Sequence, residues 1–440
     1  MSKADIVNVA ISATFVLALK AGASQGDCAQ PLTDGPVPAA TDCLFILQAA
    51  VGTVTCDPEC ICAPKGTFPI AATDALLCLS RATGQPTSLD CPCATTTTST
   101  TTTTMFTPAE CGQFESKIGV GKLSAPFGVA VDSNGNIYAA DAGTSKIVKF
   151  GPAGAFAQSW GGPGTADGKF FSEDPRGIAV GTGNRVYAGD TGNRRVQFFD
   201  SGGGFLGKWG SQCFISQGTS SGCVDPDGNG PLELGDGQFI EPYALATDAD
   251  GNVYVVDSSN YRIQVFDGDG TFLRKWSIPV VSRAIAIVDG GDVLVTGDHQ
   301  IFRYDKEGSL LDTFGGFCRL GDGMGCIDPD GIGPLELGDG QMFQWLGMIA
   351  GSSNGLFVVD DGNGRTQWLS PGGKFRAKWG SECVLFDGVG CIDPDGPGPL
   401  QPGDGQFGGA SGVAVHTSGD VLVAEAYNAR LQRFACPDLQ

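Results

Sequence analysis

An all-β fold rich in tight turns is predicted by three features of the 440-residue sequence. Glycine supplies 68 residues and proline 25, and so much glycine penalises every long helix interior. Short runs of alternating apolar residues recur along the chain, with 39 aromatic residues among them, so the material for a core is present and general disorder is excluded. Asp-Gly and Asn-Gly pairs separate many of these runs, as hairpin turns require. The length allows two or three domains.

Charge narrows the function classes. The formal net charge is −21, from 27 basic and 48 acidic residues. Such a surface repels phosphate backbones, so nucleic acid is not an expected partner. Two histidines rule out a zinc site of three imidazoles within one chain. The haem-attachment motif C-x-x-C-H is absent, and no haem, zinc or nucleotide is expected.

The sixteen cysteines, an even count, point to disulfides in an exported protein. The N-terminus agrees in part. Lys3, the mostly apolar stretch 6–19 and Ala21-Gly22-Ala23 read as a signal peptide over 1–23, with Asp5, Asn8 and Lys20 as imperfections. No apolar run is long enough for a transmembrane span. The expected location is extracellular or the cell surface.

Residues 95–104 read TTTTSTTTTT and form an extended linker, because polar β-branched residues without apolar partners build no core. The linker separates a small unit, 27–94, from a large domain, 105–440. The small unit repeats at an offset of 32 residues: Ala39-Ala40-Thr41-Asp42 returns as Ala71-Ala72-Thr73-Asp74, each before an apolar run of helical length that stops at glycine. This pattern resembles the paired loop–helix repeats of dockerin-like modules, and it implies a mainly α module. Of the loop oxygens that hold calcium in those modules, Asp34, Asp42 and Asp74 remain. Disulfides among Cys28, Cys43, Cys56, Cys60, Cys62, Cys78, Cys91 and Cys93 would serve as staples instead; the sequence does not choose the pairing.

The large domain repeats a four-strand unit six times. The first two strands of each unit lie in GVAVDSNGNIYAAD, GIAVGTGNRVYAGD, ALATDADGNVYVVD, AIAIVDGGDVLVTGD, GMIAGSSNGLFVVD and GVAVHTSGDVLVAE. The third strands are KIVKF, RVQFF, RIQVF, IFRY, RTQWL and RLQRF. Fourth strands end on Trp160, Trp209, Trp276, Phe314 and Trp379. Six four-strand units predict a six-bladed β-propeller.

The sixth fourth strand comes from the other end of the domain. Residues 112–119 (GQFESKIG) align without gaps on 203–210 (GGFLGKWG), so an N-terminal strand closes the ring and removes both sheet edges. Aligning Phe434 on Phe199 places Cys436 next to Cys111, which predicts a Cys111–Cys436 disulfide.

Motifs such as GNVYVVDSSNYRIQVF and GDGQF resemble those of NHL-repeat six-bladed propellers, over about residues 111–436. Blade 4 departs from the pattern: VLVTGDHQIFRY has a loop about two residues shorter, without the Asn and Arg of its siblings.

In a four-strand meander, the loops between second and third strands share one face with the blade-to-blade linkers. On that face an acid, an Asn and a base recur: Asp190/Asn193/Arg195, Asp257/Asn260/Arg262, Asp360/Asn363/Arg365 and Glu425/Asn428/Arg430, with Asp141/Lys146 in blade 1. Recurrence in blade after blade favours loop-closing bonds over a ligand site.

Three linkers on the same face carry related insertions, each with two nearby cysteines, which predicts Cys213–Cys223, Cys318–Cys326 and Cys383–Cys391. After each second cysteine comes D-P-D-G-x-G. Measured against an EF-hand-type calcium loop, the first insertion supplies Asp225, Asp227, Asn229, Glu233 and Asp236, the last as Asp at position twelve. The second supplies Asp328, Asp330, Glu336 and Asp339, and the third Asp393, Asp395 and Asp404. Pro-Asp-Gly is also an ordinary turn former. Calcium is therefore an expectation for these loops, beside a purely structural reading.

The resemblance also implies enzymes, since some propellers of this class are metal-dependent lyases or hydrolases. Here His299 and His416 fall on opposite faces and cannot share a metal, and no G-x-S-x-G elbow stands in the right context. The expected function is non-catalytic binding of a protein or glycan on the insertion face. The alternatives are a metal-dependent lyase or hydrolase on that face, or a subunit of an extracellular filament or surface layer that self-assembles through the small module.

Overall fold

The computed structural model describes residues 111–436, apart from 217–218, 229, 231, 289, 322, 328–337, 344–348, 353–354, 387, 389, 392–400 and 402. The expected signal peptide, Cys-rich module and threonine linker lie outside the described residues. So do Asn229, Asp328, Asp330, Glu336, Asp393 and Asp395.

Six four-stranded antiparallel sheets make up the described residues, with one added two-stranded ribbon in the first insertion, Phe214–Ser216 against Thr219–Ser221. Blade 1 runs outward from the axis as Pro126–Val131, Ile137–Asp141, Lys146–Phe150 and Phe156–Gly161. Blades 2 to 5 repeat this order and begin at Ile178–Val180, Pro242–Thr247, Ile285–Ile287 and Ile349–Ser352. Blade 6 takes Ala410–Val415, Val421–Glu425 and Arg430–Ala435 from the C-terminal end and Gln113–Ile118 as its outermost strand. Phe114 is paired with Phe434, and their rings meet edge to face at 6.2 Å. The innermost strands touch in the cyclic order of blades 1 to 6 and back to 1, so the ring is closed.

The core is divided into six clusters, each shared by two adjacent blades. The cluster between blades 3 and 4, for example, joins Tyr254, Val256 and Ile263 to Val293, Val295 and Tyr304. A second strand such as Val253–Asp257 is therefore buried on both faces along its whole length, one face against each neighbouring blade. This explains the near-continuous apolar runs VYVVD and LFVVD in the sequence.

Blade 4 shortens its loop by a defined route. In blades 1, 2, 3 and 5 the second and third strands are joined by a 3-10 turn and one left-handed residue. In blade 4 only Asp298 and His299 intervene, both at positive φ, 46° and 69°. That is the two-residue hairpin turn whose twist matches the strands.

Candidate functional site: the insertion-bearing face

Four of the six linkers between blades return on themselves at a parallel bridge: Pro163 with Phe170, Gln212 with Phe239, Phe317 with Met342, and Glu382 with Phe407. In three of them an insertion leaves the bridge at a cysteine. The disulfides are Cys213–Cys223, Cys318–Cys326 and Cys383–Cys391, with Cys111–Cys436 at the ring closure. The roots Cys213, Cys318 and Cys383 are fully buried.

The recurrent acid–Asn–base motif has a structural role. Asp257 is fully buried; its Oδ1 accepts from the backbone N–H of Ile240 at 2.9 Å, and its Oδ2 accepts from Asn260 at 2.7 Å and Arg262 Nε at 2.9 Å. Arg262 Nη2 in turn donates to the carbonyls of Gly235 and Gln238, at 3.0 and 2.9 Å. The same bonds recur around Asp190/Arg195 and Asp360/Arg365, and with Glu425 in place of Asp around Arg430. These charges are closed on each other and on the linker backbone, which leaves them unsuited to a ligand.

The asparagine does more than close its own loop. Asn260 donates to the carbonyl of Cys213 and accepts from the N–H of Ile215, at 2.8 and 2.9 Å. Asn363 does this around Cys318 and Leu320, and Asn428 around Cys383 and Leu385. Each insertion is thus gripped at its root by the neighbouring blade.

Two glutamine sets were not singled out in the sequence. Gln197, Gln264, Gln367 and Gln432, two positions after the arginine, are fully buried and bond the linker backbone, as Gln264 Nε2 does to the carbonyl of Gln238 at 2.6 Å. Their signal was the repeated R-x-Q of the third strands. The glutamine of GDGQ binds the far side of the insertion: Gln238 accepts from Val224 N–H and Gln341 from Ile327 N–H, both at 2.6 Å. The linker between blades 1 and 2, which has no disulfide, has Lys169 at this position.

The expected calcium ligands that are described have protein partners. Asp225 accepts from the N–H groups of Asp227 and Gly228, at 3.3 and 3.0 Å, and Asp227 from Leu232 N–H at 3.1 Å. Asp236 pairs with Lys275 Nζ, which also lies 2.8 Å from Glu233. Asp339 is 2.6 Å from Lys378, and Asp404 is 3.0 Å from Lys117. Asp167, in the linker that lacks D-P-D, pairs in the same way with Lys208. Position twelve is thus an acceptor for a lysine on an outermost strand. Among the described residues no group of three or more His, Cys, Asp or Glu converges as metal ligands.

The two histidines lie apart. His416 is buried, with Nε2 2.9 Å from the carbonyl of Gly135 and Nδ1 2.7 Å from Ser418 Oγ, and burial lowers its pKa. His299, on the insertion face, packs edge-on against Phe317 at 4.9 Å.

Apolar side chains are exposed at equivalent points of the insertions. Two residues after the first cysteine stand Ile215, Leu320 and Leu385; one residue after the second stand Val224 and Ile327. Phe386, at 81% exposure, is beside them. Nearer the axis, Phe127 and Tyr243 are second in the innermost strands of blades 1 and 3, and Arg176 and Arg283 stand two residues before those of blades 2 and 4. The Arg176 guanidinium lies 5.1 Å from the Phe127 ring and 5.6 Å from the Tyr243 ring, and Arg283 lies 5.4 Å from Tyr243. Beside Arg176, burial pushes the Asp174 carboxyl up to about 6, helped by the charge of Asp190 and opposed by the Gly192 N–H and by Arg176.

An NHL repeat model matches residues 239–266 and 407–434, which are strands and linkers of blades 3 and 6. The propeller carries NHL repeats. The NHL propeller is 32% identical over 97 residues to the protein brain tumor of Drosophila melanogaster, covering 20% of this chain and 9% of that protein. It is 30% identical over 113 residues to the B-box type zinc finger protein ncl-1 of Caenorhabditis elegans, covering 23% of this chain and 13% of that one. The chain therefore spans a small part of the length of these relatives. Among solved structures, a streptogramin B lyase is 13% identical with a TM-score of 0.43, covering 73% of this chain and 96% of that one.

Proposed function

We propose that the chain is an exported interaction protein whose insertion-bearing propeller face binds a protein partner. The observation that carries this reading is the repetition of exposed apolar residues at equivalent points of the three insertions. A single exposed leucine or isoleucine is ordinary, whereas recurrence at equivalent points of three insertions on one face supports an interaction surface. The insertions are held by a disulfide root, an asparagine grip and a glutamine on the far side, so little ordering entropy is lost when a partner docks. Four disulfides among the described residues favour an oxidising compartment. No helix among them is long and apolar enough to cross a membrane.

Calcium stays a proposal for these loops. The ion would have to displace Lys275 from Asp236, and Lys378 and Lys117 from the equivalent aspartates. The binding reading does not require it, because the roots of the insertions are already held by disulfides and hydrogen bonds.

The test uses the full chain and an Ile327→Asp/Phe386→Asp variant. Partners captured from the extracellular medium are purified and titrated against both. The expected result is binding weakened by about tenfold or more, with an unchanged melting temperature, since both side chains are exposed. Equal affinity for every captured partner overturns the assignment of this face.

A further inference from the structure

At the hub of the insertion face the innermost strands of four successive blades, or the residues just before them, carry Phe127, Arg176, Tyr243 and Arg283, an alternation of ring and cation. The spacing of the first three is set by the residues that follow Phe127 and Arg176. A Cβ on Gly128 would lie 2.5 Å from the carbonyl oxygen of Arg176, and one on Gly177 would lie 2.3 Å from that of Tyr243. Between blades 1 and 2 and between blades 2 and 3 the strands meet so closely only because these positions are glycine, which holds Phe127, Arg176 and Tyr243 close together.

Arg176 differs from the arginines of the loop motifs. Arg262 and Arg365 are buried and closed by bonds of 2.8 to 3.0 Å to a carboxylate and two carbonyls. Arg176 is partly exposed, with a side-chain exposure of 31%. Its polar contacts are long: 3.4 Å from Nη1 to the Tyr243 hydroxyl, and 3.7 Å from Nε to Asp174 Oδ1. The other oxygen of Asp174 accepts from Gly192 N–H at 2.7 Å. Stacking between two rings uses the faces of the guanidinium; its N–H edge is the part that recognises a planar acceptor. The flanking rings offer apolar contact to whatever carries that acceptor.

We propose that Arg176, framed by Phe127 and Tyr243, forms a carboxylate-binding subsite at the hub of the insertion face. It takes an acidic side chain or a free C-terminus of the docked protein, next to an apolar or aromatic group. The net charge of −21 repels anions at long range, and Asp174 and Glu173 lie near Arg176, so recognition rests on paired hydrogen bonds from the Arg176 guanidinium edge. The identity of the carboxylate's owner rests on the interaction-face reading; the chemistry of the subsite does not.

The experiment titrates the full chain by calorimetry with three small probes. They are an N-acetylated glycine–phenylalanine dipeptide with a free C-terminus, an amidated aspartate–phenylalanine dipeptide, and the amidated asparagine–phenylalanine control. At least one acid is expected to bind about tenfold or more tighter than the control, and the tighter acid identifies the source of the carboxylate. Arg176→Gln is expected to weaken that acid by about tenfold, and Arg176→Lys to weaken it while the fold is kept, because lysine supplies charge without the planar edge. A control that binds as well as both acids, or an affinity unmoved in the arginine variants, overturns the subsite. Loss of partner binding in Ile327→Asp/Phe386→Asp with acid binding intact separates the two readings, as does the reverse.

Discussion

At the scale of single residues, the carboxylates of this acidic chain have unlike surroundings. Asp257 is buried against an arginine and an asparagine, whereas buried Asp174 has one short bond, from Gly192 N–H, and a distant Arg176. Its carboxyl titrates at about 6 against 3.8 unperturbed, chiefly because burial disfavours the charge. The folded state therefore binds more protons than the unfolded state between those values, and stability falls as pH rises through that window. The unfavourable contribution above pH 6 is at most about 3 kcal/mol. Asp174→Asn keeps an acceptor for Gly192 and removes the titration. Its melting temperature should exceed that of the parent at pH 7.5 and match it near pH 4; a parallel pH profile for the two proteins would refute this account.

At the scale of elements, each outermost strand wedges one bulky residue under a glycine of the next blade's turn. Trp160 sits under Gly203, Trp209 under Gly270, Trp276 under Gly308, Phe314 under Gly373 and Trp379 under Gly112. Ile118, from the closing strand, takes the same place under Gly154. Gly203 has φ +79° and a Cβ there would lie 2.6 Å from the Trp160 ring. Gly203→Ala should cost about 2–4 kcal/mol, combining backbone strain with overpacking. Gly121→Ala, at φ +71° with nothing near the added carbon, should cost about 1 kcal/mol. Denaturant titration of the two variants checks the difference. Much of this layer was legible in the sequence: the spacing of Phe205 before Trp209 and the gap-free match of 112–119 on 203–210 already placed Ile118 at a tryptophan position. The glycine above it was not, because the partner lies in another blade.

At the scale of the whole molecule, the ring has no central core and is held by six separate inter-blade clusters. Opening any one seam exposes two sheet faces, so the joint between the chain's two ends is the vulnerable one. Cys111 and Cys436 close it across 325 residues. By the chain-entropy argument a loop of that length is worth about 4–6 kcal/mol. The Cys111→Ser/Cys436→Ser double variant should lose about that much in guanidinium unfolding. A loss below about 1 kcal/mol would show that strand pairing of 113–118 with 430–435 closes the ring unaided. The disulfides of the insertions span only 8 to 10 residues and fix loop shape more than global stability.

Periodicity along the chain determined the blade count, the split sixth blade and the face on which the insertions gather, because each of these follows from local strand patterns repeated in register. Local spacing does not say what a charged side chain meets after the chain has turned back. The D-P-D-G loops match a calcium-loop pattern and are also ordinary turn formers; the sequence did not show that their twelfth positions face lysines on strands 39 residues further on in two loops, and Lys117 from the far end of the domain in the third. The hub of Phe127, Arg176, Tyr243 and Arg283 is likewise invisible in sequence, since its members are separated by whole blades. Packing of successive blades brings their innermost strands together, and Gly128 and Gly177 allow the close backbone approach among the first three.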